Sequence, residues 1–168
     1  MLTKHLRASC LILAALLLAA CAPKPIYKPA TDTIHALPRT VAQTPEHYGH
    51  AAVIWGGRIV KVTNLADRTE IELLAYPLDS SQRPQIGSAA GGRFIAIVPG
   101  YLEPLNYPPG RLMTISGRLA GTRGGKVGHA DYVFPLVDAD QYHLWTAEEL
   151  RSPWSNVHFG VGVGVGVH

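Results

Sequence analysis

The sequence predicts an all-β domain: a small five-stranded OB-like barrel with one short C-terminal helix. Three observations carry this. Beyond residue 50 the apolar residues fall into five short runs over about 90 residues, each bounded by turn residues and too short for helices. The first run is interrupted by Gly56-Gly57, the kind of break that lets one strand turn the corner of a small barrel. The composition, 47% hydrophobic but only 16% charged with 17 Gly and 13 Pro, excludes a charge-laced helical protein and a wholly disordered one. A two-sheet β-sandwich is the alternative architecture. With 168 residues, the chain has room for one ordinary domain and an appendage.

The N-terminus is read first as an address. Lys4, His5 and Arg7 precede an apolar stretch over residues 8–20. As a helix these 13 residues rise about 20 Å, short of the roughly 30 Å of a bilayer core, so residues 1–20 read as an export signal and not a permanent span. The segment Leu18-Ala19-Ala20-Cys21 resembles the bacterial lipobox, in which the Cys thiol is lipidated and the signal is cut just before it. Cys21 is therefore the expected lipidation site. Two or three acyl chains, at roughly 0.8 kcal/mol per buried methylene, would hold it essentially permanently. Ala22, where an Asp would retain the protein in the inner membrane under the enteric sorting rule, points to the outer membrane.

Removing the signal takes Lys4 and Arg7 with it and leaves 13 basic against 12 acidic residues, so no nucleic-acid partner is expected. Of the two cysteines, Cys10 leaves with the signal and Cys21 is consumed by lipid, leaving no thiol for a disulfide, a zinc site or a nucleophile.

Residues 21–49 contain five prolines after the Cys and little apolar periodicity, and read as a tether of up to roughly 85 Å at about 3.1 Å per residue. Docking of Ile26-Tyr27 or Ile34 is the lesser alternative. The barrel domain is expected over 50–152. Its first strand lies in 51–62, followed by a hairpin loop at 64–68 and a second strand over 69–76, with Ile71 and Leu73 on one face and Glu70 and Glu72 on the other. The run 93–98 is apolar on both faces, as a covered strand would be. Over 111–119, Met113, Ile115 and Leu119 point inward and Thr114, Ser116 and Arg118 outward. Residues 121–128 read as a glycine-rich turn, and 132–137 as a fifth strand placed at an edge by Pro135. Thr146-Ala147-Glu148-Glu149 has the capping pattern of a short helix, limited by Pro153. Residues 153–168 read as a C-terminal tail ending in alternating Gly and Val, costly to order at about 0.5–1 kcal/mol per glycine. Residues 160–168 are therefore expected outside the stable core, with strand addition to a barrel edge or a neighbouring protein as the alternative.

Together, Val53-Ile54-Trp55-Gly56-Gly57-Arg58-Ile59, Glu70-Ile71-Glu72-Leu73-Leu74-Ala75-Tyr76-Pro77-Leu78-Asp79, Gly92-Arg93-Phe94-Ile95-Ala96, Gly110-Arg111-Leu112-Met113-Thr114-Ile115-Ser116-Gly117 and Tyr132-Val133-Phe134-Pro135-Leu136-Val137 resemble, in order, the Slp family of starvation-inducible outer-membrane lipoproteins. The resemblance implies a lipoprotein linked to starvation or acid stress. It supplies Cys21 as the lipid attachment point and no catalytic residues.

His47 and His50 form His-x-x-His at the tether's edge without further ligands, too few for a closed metal shell. The segment 121–127 lacks the first Gly and the Ser/Thr of a phosphate loop. Ser80, Ser81 and Ser88 sit in turns without a neighbouring His. Glu70 and Glu72 are expected on a solvated face, not in acid–base work. Trp55, Tyr101, Tyr107, Arg58 and Arg93 are the residue types a ligand-binding barrel face would use, yet aromatics in a small barrel usually fill the core. The expectation is a non-enzymatic envelope protein without catalytic, metal or cofactor sites. It would be held on the periplasmic side of the outer membrane through Cys21, with an envelope protein as partner. The alternative is a periplasmic module that binds an oligosaccharide or peptide.

Overall fold

The structure, a computed structural model, describes residues 24–151. The expected export signal, Cys21 and the Gly-Val tail fall outside the described residues. The chain divides into two compact units. One spans Pro25–Thr146 and holds the barrel; of the other, Lys24 and the helix Ala147–Arg151 are described.

In the first unit the elements run β1 (Thr33–Ile34), α1 (Pro38–Gln43), β2 (Ala52–Asn64), β3 (Arg68–Tyr76), β4 (Arg93–Pro99), β5 (Leu112–Val127) and β6 (Ala130–Leu144). The strand order β2-β3-β4-β6-β5, with β5 pairing back onto β2, closes a five-stranded barrel, and β1 lies parallel on β2 as one extra strand. Neighbours in the barrel are antiparallel except β4 and β6, which pair in parallel through Ile95–Leu136, Ala96–Val137 and Ile97–Asp138.

Closure depends on one bent strand. Residues 52–58 of β2 pair with β5, residues 56–64 pair with β3, and Gly56, Gly57 and Arg58 serve both partners. A Cβ on Gly57 would lie 2.2 Å from the Leu74 carbonyl oxygen, so the two backbones can meet here only without a side chain. The interior is filled by alternate residues of every strand, among them Trp55, Ile59, Ile71, Leu73, Phe94, Met113, Ile115 and Val137. Trp55 meets Phe94 edge to face with centroids 5.2 Å apart.

Four sequence expectations are corrected. The prolines of 25–49 do not make a free spacer. Pro38 opens α1, where its missing N–H costs nothing, and Val41 enters the core. The Arg39 N–H donates to the Gly91 carbonyl, and the Trp55 indole donates to the Ala36 carbonyl. The folded domain therefore begins at Pro25, not at residue 50, and its compact unit ends at Thr146.

The glycine-rich stretch is strand, not turn. Residues 122–127 pair with 130–135, so β5 and β6 project as a long ribbon and only Gly128-His129 turns. Gly121, Gly124 and Gly128 have open space where a Cβ would stand, and strands can run through glycines when the partner strand supplies the order. The strand expected at an edge is flanked on both sides over residues 136–138, so the edge position holds at Pro135 and not beyond it. Pro135 faces Thr122 of β5 beside a register shift, and β4 joins β6 from the next residue onward, so the missing N–H falls at the irregularity. Finally, Thr114 is fully buried where the alternation predicts an outward side chain, because the loop after β3 and the Trp145 indole cover that part of β5.

In the second unit the short helix expected after Thr146 is present as α2 (Ala147–Arg151), with Glu148 and Glu149 in its first turn and Arg151 in its last, the charge order that a helix dipole favours. Arg151 donates through Nε to the Ala147 carbonyl at 3.1 Å.

Candidate functional site

Three polar or concave features lie on the barrel unit. The first is built by Asp79-Ser80-Ser81-Gln82-Arg83, directly after β3. Asp79 Oδ1 accepts from the backbone N–H of Ser81 and of Arg83 and from the Ser81 hydroxyl, and Oδ2 accepts from Arg83 Nε at 3.1 Å. Burial opposes the charge on Asp79, but these hydrogen bonds and the Arg83 guanidinium outweigh it and hold the carboxyl below its ordinary range. The turn so fixed puts Gln82 at φ 67°, a left-handed conformation.

Gln82 then joins distant segments. Its side chain accepts from the Tyr27 N–H at 2.8 Å and donates to the Tyr27 carbonyl at 2.9 Å, imitating a strand pair across 55 residues. Its own carbonyl accepts from the Thr114 hydroxyl, which in turn accepts from the Trp145 indole N–H at 2.9 Å. Burial pushes the Tyr27 phenol well above its ordinary value, with the neighbouring Tyr142 adding to the effect. Tyr107, edge to face with Tyr142, is raised to about 12, first by burial and then by its bond to Tyr142.

The second feature is a set of ion pairs on the outer face of the barrel. Glu70 is gripped by both terminal nitrogens of Arg123 from the β5–β6 ribbon, at 3.1 and 2.7 Å, with Arg68 Nε at 3.5 Å. The Arg123 hydrogen bonds are the main reason its carboxyl is held below the usual value. Glu72 binds Arg93, whose backbone N–H donates to the Tyr132 hydroxyl at 2.7 Å. The two glutamates do lie opposite the core, but they are covered and paired with arginines instead of freely solvated. The charge on Glu70 clamps the ribbon through Arg123, and that on Glu72 ties β3 to Arg93 of β4.

The third feature is a cleft of about 230 Å³ between residues 34–38, β2 and the end of β3. Ile34, Leu37, Ile54, Trp55 and Leu78 line it, with His35 and Tyr76 among its polar residues.

The residues singled out from the sequence do not converge. Trp55 is buried and bonded; Tyr107 is half-buried against the core; Tyr101 is 67% exposed and donates to Glu103. Arg93 is committed to Glu72, and Arg58 is exposed on β2. His50 is bonded through Nδ1 to the Leu119 carbonyl, while His47 is paired at 3.8 Å with Glu46. Ser81 belongs to the Asp79 turn, and Ser88 donates its N–H to Gln85. The Tyr27–Gln82–Thr114–Trp145 relay was missed. Asp-Ser-Ser-Gln-Arg is a legible turn signature, but a bond spanning 55 residues leaves no local trace.

The outer membrane lipoprotein Slp family matches residues 18–160 of this sequence. The chain is similar to an uncharacterized protein of Haemophilus influenzae, with 46% identity over 92 residues, 54% of this chain and 50% of the relative. Uncharacterized lipoprotein YeaY of Escherichia coli is 34% identical over 62% of this chain and 54% of its own length. Outer membrane protein Slp of Escherichia coli is 30% identical over 64% and 57%. The chain thus spans about half the length of the curated relatives it matches. Among solved structures, a small single-stranded DNA-binding protein from Streptomyces coelicolor overlays on 60% of this chain and 98% of its own at 13% identity, with a TM-score of 0.36, a likeness that carries no argument here.

Proposed function

Because the chain belongs to the outer membrane lipoprotein Slp family, we propose that it is a non-enzymatic envelope protein, linked to starvation or stress and held on the periplasmic face of the outer membrane by acyl chains on Cys21. The observation that carries this reading is the extent of the family match. It begins at residue 18 and so takes in Leu18-Ala19-Ala20-Cys21 together with the whole barrel. The barrel's chemistry supports it as well: Glu70, Glu72 and Asp79 are each spent on an arginine that holds the fold. Cys21→Ala is the test. It is expected to give an uncleaved or soluble protein with no acyl mass on its N-terminal peptide. A mature N-terminus at another residue, with membrane fractionation unchanged, would overturn the reading.

The cleft beside Trp55 favours a second reading, a binding module for a small ligand, apolar in character from its lining. Line broadening of an apolar fragment library, lost on Ile54→Trp, would promote it.

A further inference from the structure

We propose that one end of the barrel, carrying Tyr27, Lys28 and the loop over residues 77–92, rests on the bilayer surface while the hairpin at 65–67 points away from it. The inference rests on the reading of Cys21 as the anchor. It follows from where the folded domain begins. Tyr27 is tied at both its N–H and its carbonyl to Gln82, and only six residue steps separate it from Cys21. At full extension six steps reach about 22 Å, and about 19 Å in the polyproline conformation that Pro23 and Pro25 favour.

Gln82 lies level with the C-terminal end of β3. Its carbonyl binds Thr114, which is in register with Gly56, which is in register with Tyr76. The hairpin at 65–67 lies beyond the opposite end of the same strand, whose nine residues rise about 26 Å. With β3 upright on the membrane, the hairpin could touch the bilayer only if Tyr27 stood about 26 Å from it, beyond the reach of the leash. The opposite orientation satisfies the leash with slack.

The surface at this end suits a bilayer. Ile86 is 49% exposed in the loop, the kind of apolar side chain that enters a headgroup region. Lys28 is exposed and suited to a lipid phosphate, whereas Asp32 and Asp79 are already paired, with Arg118 and Arg83.

The test uses the full processed lipoprotein in vesicles of phosphatidylethanolamine and phosphatidylglycerol. Once the signal is removed and Cys21 acylated, a thiol dye reacts only at an introduced cysteine. Ile86→Cys and Ala66→Cys therefore report the two ends, both positions being exposed. With lipids spin-labelled at the headgroup, quenching at residue 86 is expected to exceed that at residue 66 at least threefold. Equal quenching, or stronger quenching at 66, in protein that is acylated and membrane-bound would overturn the orientation and leave the anchor standing. Protein without an acyl group on Cys21, recovered in the soluble fraction, would overturn both.

Discussion

Gly57 and Gly128 show how differently one residue type can matter in one chain. A methyl group at Gly57 would meet the Leu74 carbonyl at 2.2 Å and would push apart β2 and β3 at the bend. Gly128 sits at φ +61° in the ribbon turn with open space around it. Gly57→Ala is therefore expected to cost about 3 kcal/mol or more, and Gly128→Ala about 1 kcal/mol, the ordinary strain of a left-handed alanine. Urea denaturation of the two variants checks the ratio. Tyr27 makes a second residue-level case. Its phenol oxygen is buried without a hydrogen-bond partner among the described residues, while its ring is packed and its backbone tied to Gln82. Tyr27→Phe should leave stability unchanged or raise it by up to about 1 kcal/mol, whereas Tyr27→Ala should cost about 3 kcal/mol. A loss on Tyr27→Phe would show that the oxygen has a partner after all.

Among the elements, the β5–β6 ribbon depends on charge where the barrel depends on packing. Glu70 reaches it from β3 through Arg123, and its carboxyl is held below the ordinary value. A lowered folded value means that the stabilisation is complete above the unfolded value of about 4.3 and is lost as pH falls through the folded one. The wild type should thus exceed Glu70→Gln by about 1 kcal/mol at pH 7, with the difference vanishing in acid. Urea midpoints measured between pH 3 and 7 check both the sign and the window. The ribbon also marks the limit of what sequence pattern could reveal. Alternation of Ile71 and Leu73 with Glu70 and Glu72 placed β3 correctly, and the double glycine marked the bend of β2. Over 121–128 the same logic failed, because glycine reports only that no side chain is needed, not whether a partner strand lies alongside. Residues 36–41 failed for a related reason: prolines signal extended chain, but Leu37 and Val41 have their surface waiting on the barrel, over Gly91 and in the core. For the candidate site, the Asp79 turn was legible and its clasp on Tyr27 was not, since only the folded topology brings the two together.

At the scale of the whole molecule, the segment 25–49 is part of the domain's substance. It contributes Val41 to the core, β1 to the flank of β2 and a hydrogen bond to the Trp55 indole. Deleting residues 25–49 should cost more than about 4 kcal/mol, from the exposed apolar surface and the orphaned indole, and should broaden the unfolding transition. Calorimetry of the shortened chain checks this; an unchanged midpoint would restore the spacer.

The closing seam of the barrel also sets a schedule. Ala52 is matched with Arg118 and Arg58 with Leu112, so the seam joins parts of the chain made far apart in time. Until β5 has emerged, β2 and β3 are a hairpin with a greasy inner face and nothing to lay it on. Refolding should accordingly run in the millisecond-to-second range of proteins whose contacts are mostly non-local, as stopped-flow tryptophan fluorescence can verify. A chain crossing a membrane as an unfolded thread, secured at its first residues, would spend that interval half-built at the lipid surface. The late arrival of Leu112 decides when the exposed hairpin stops being a hazard and becomes a barrel.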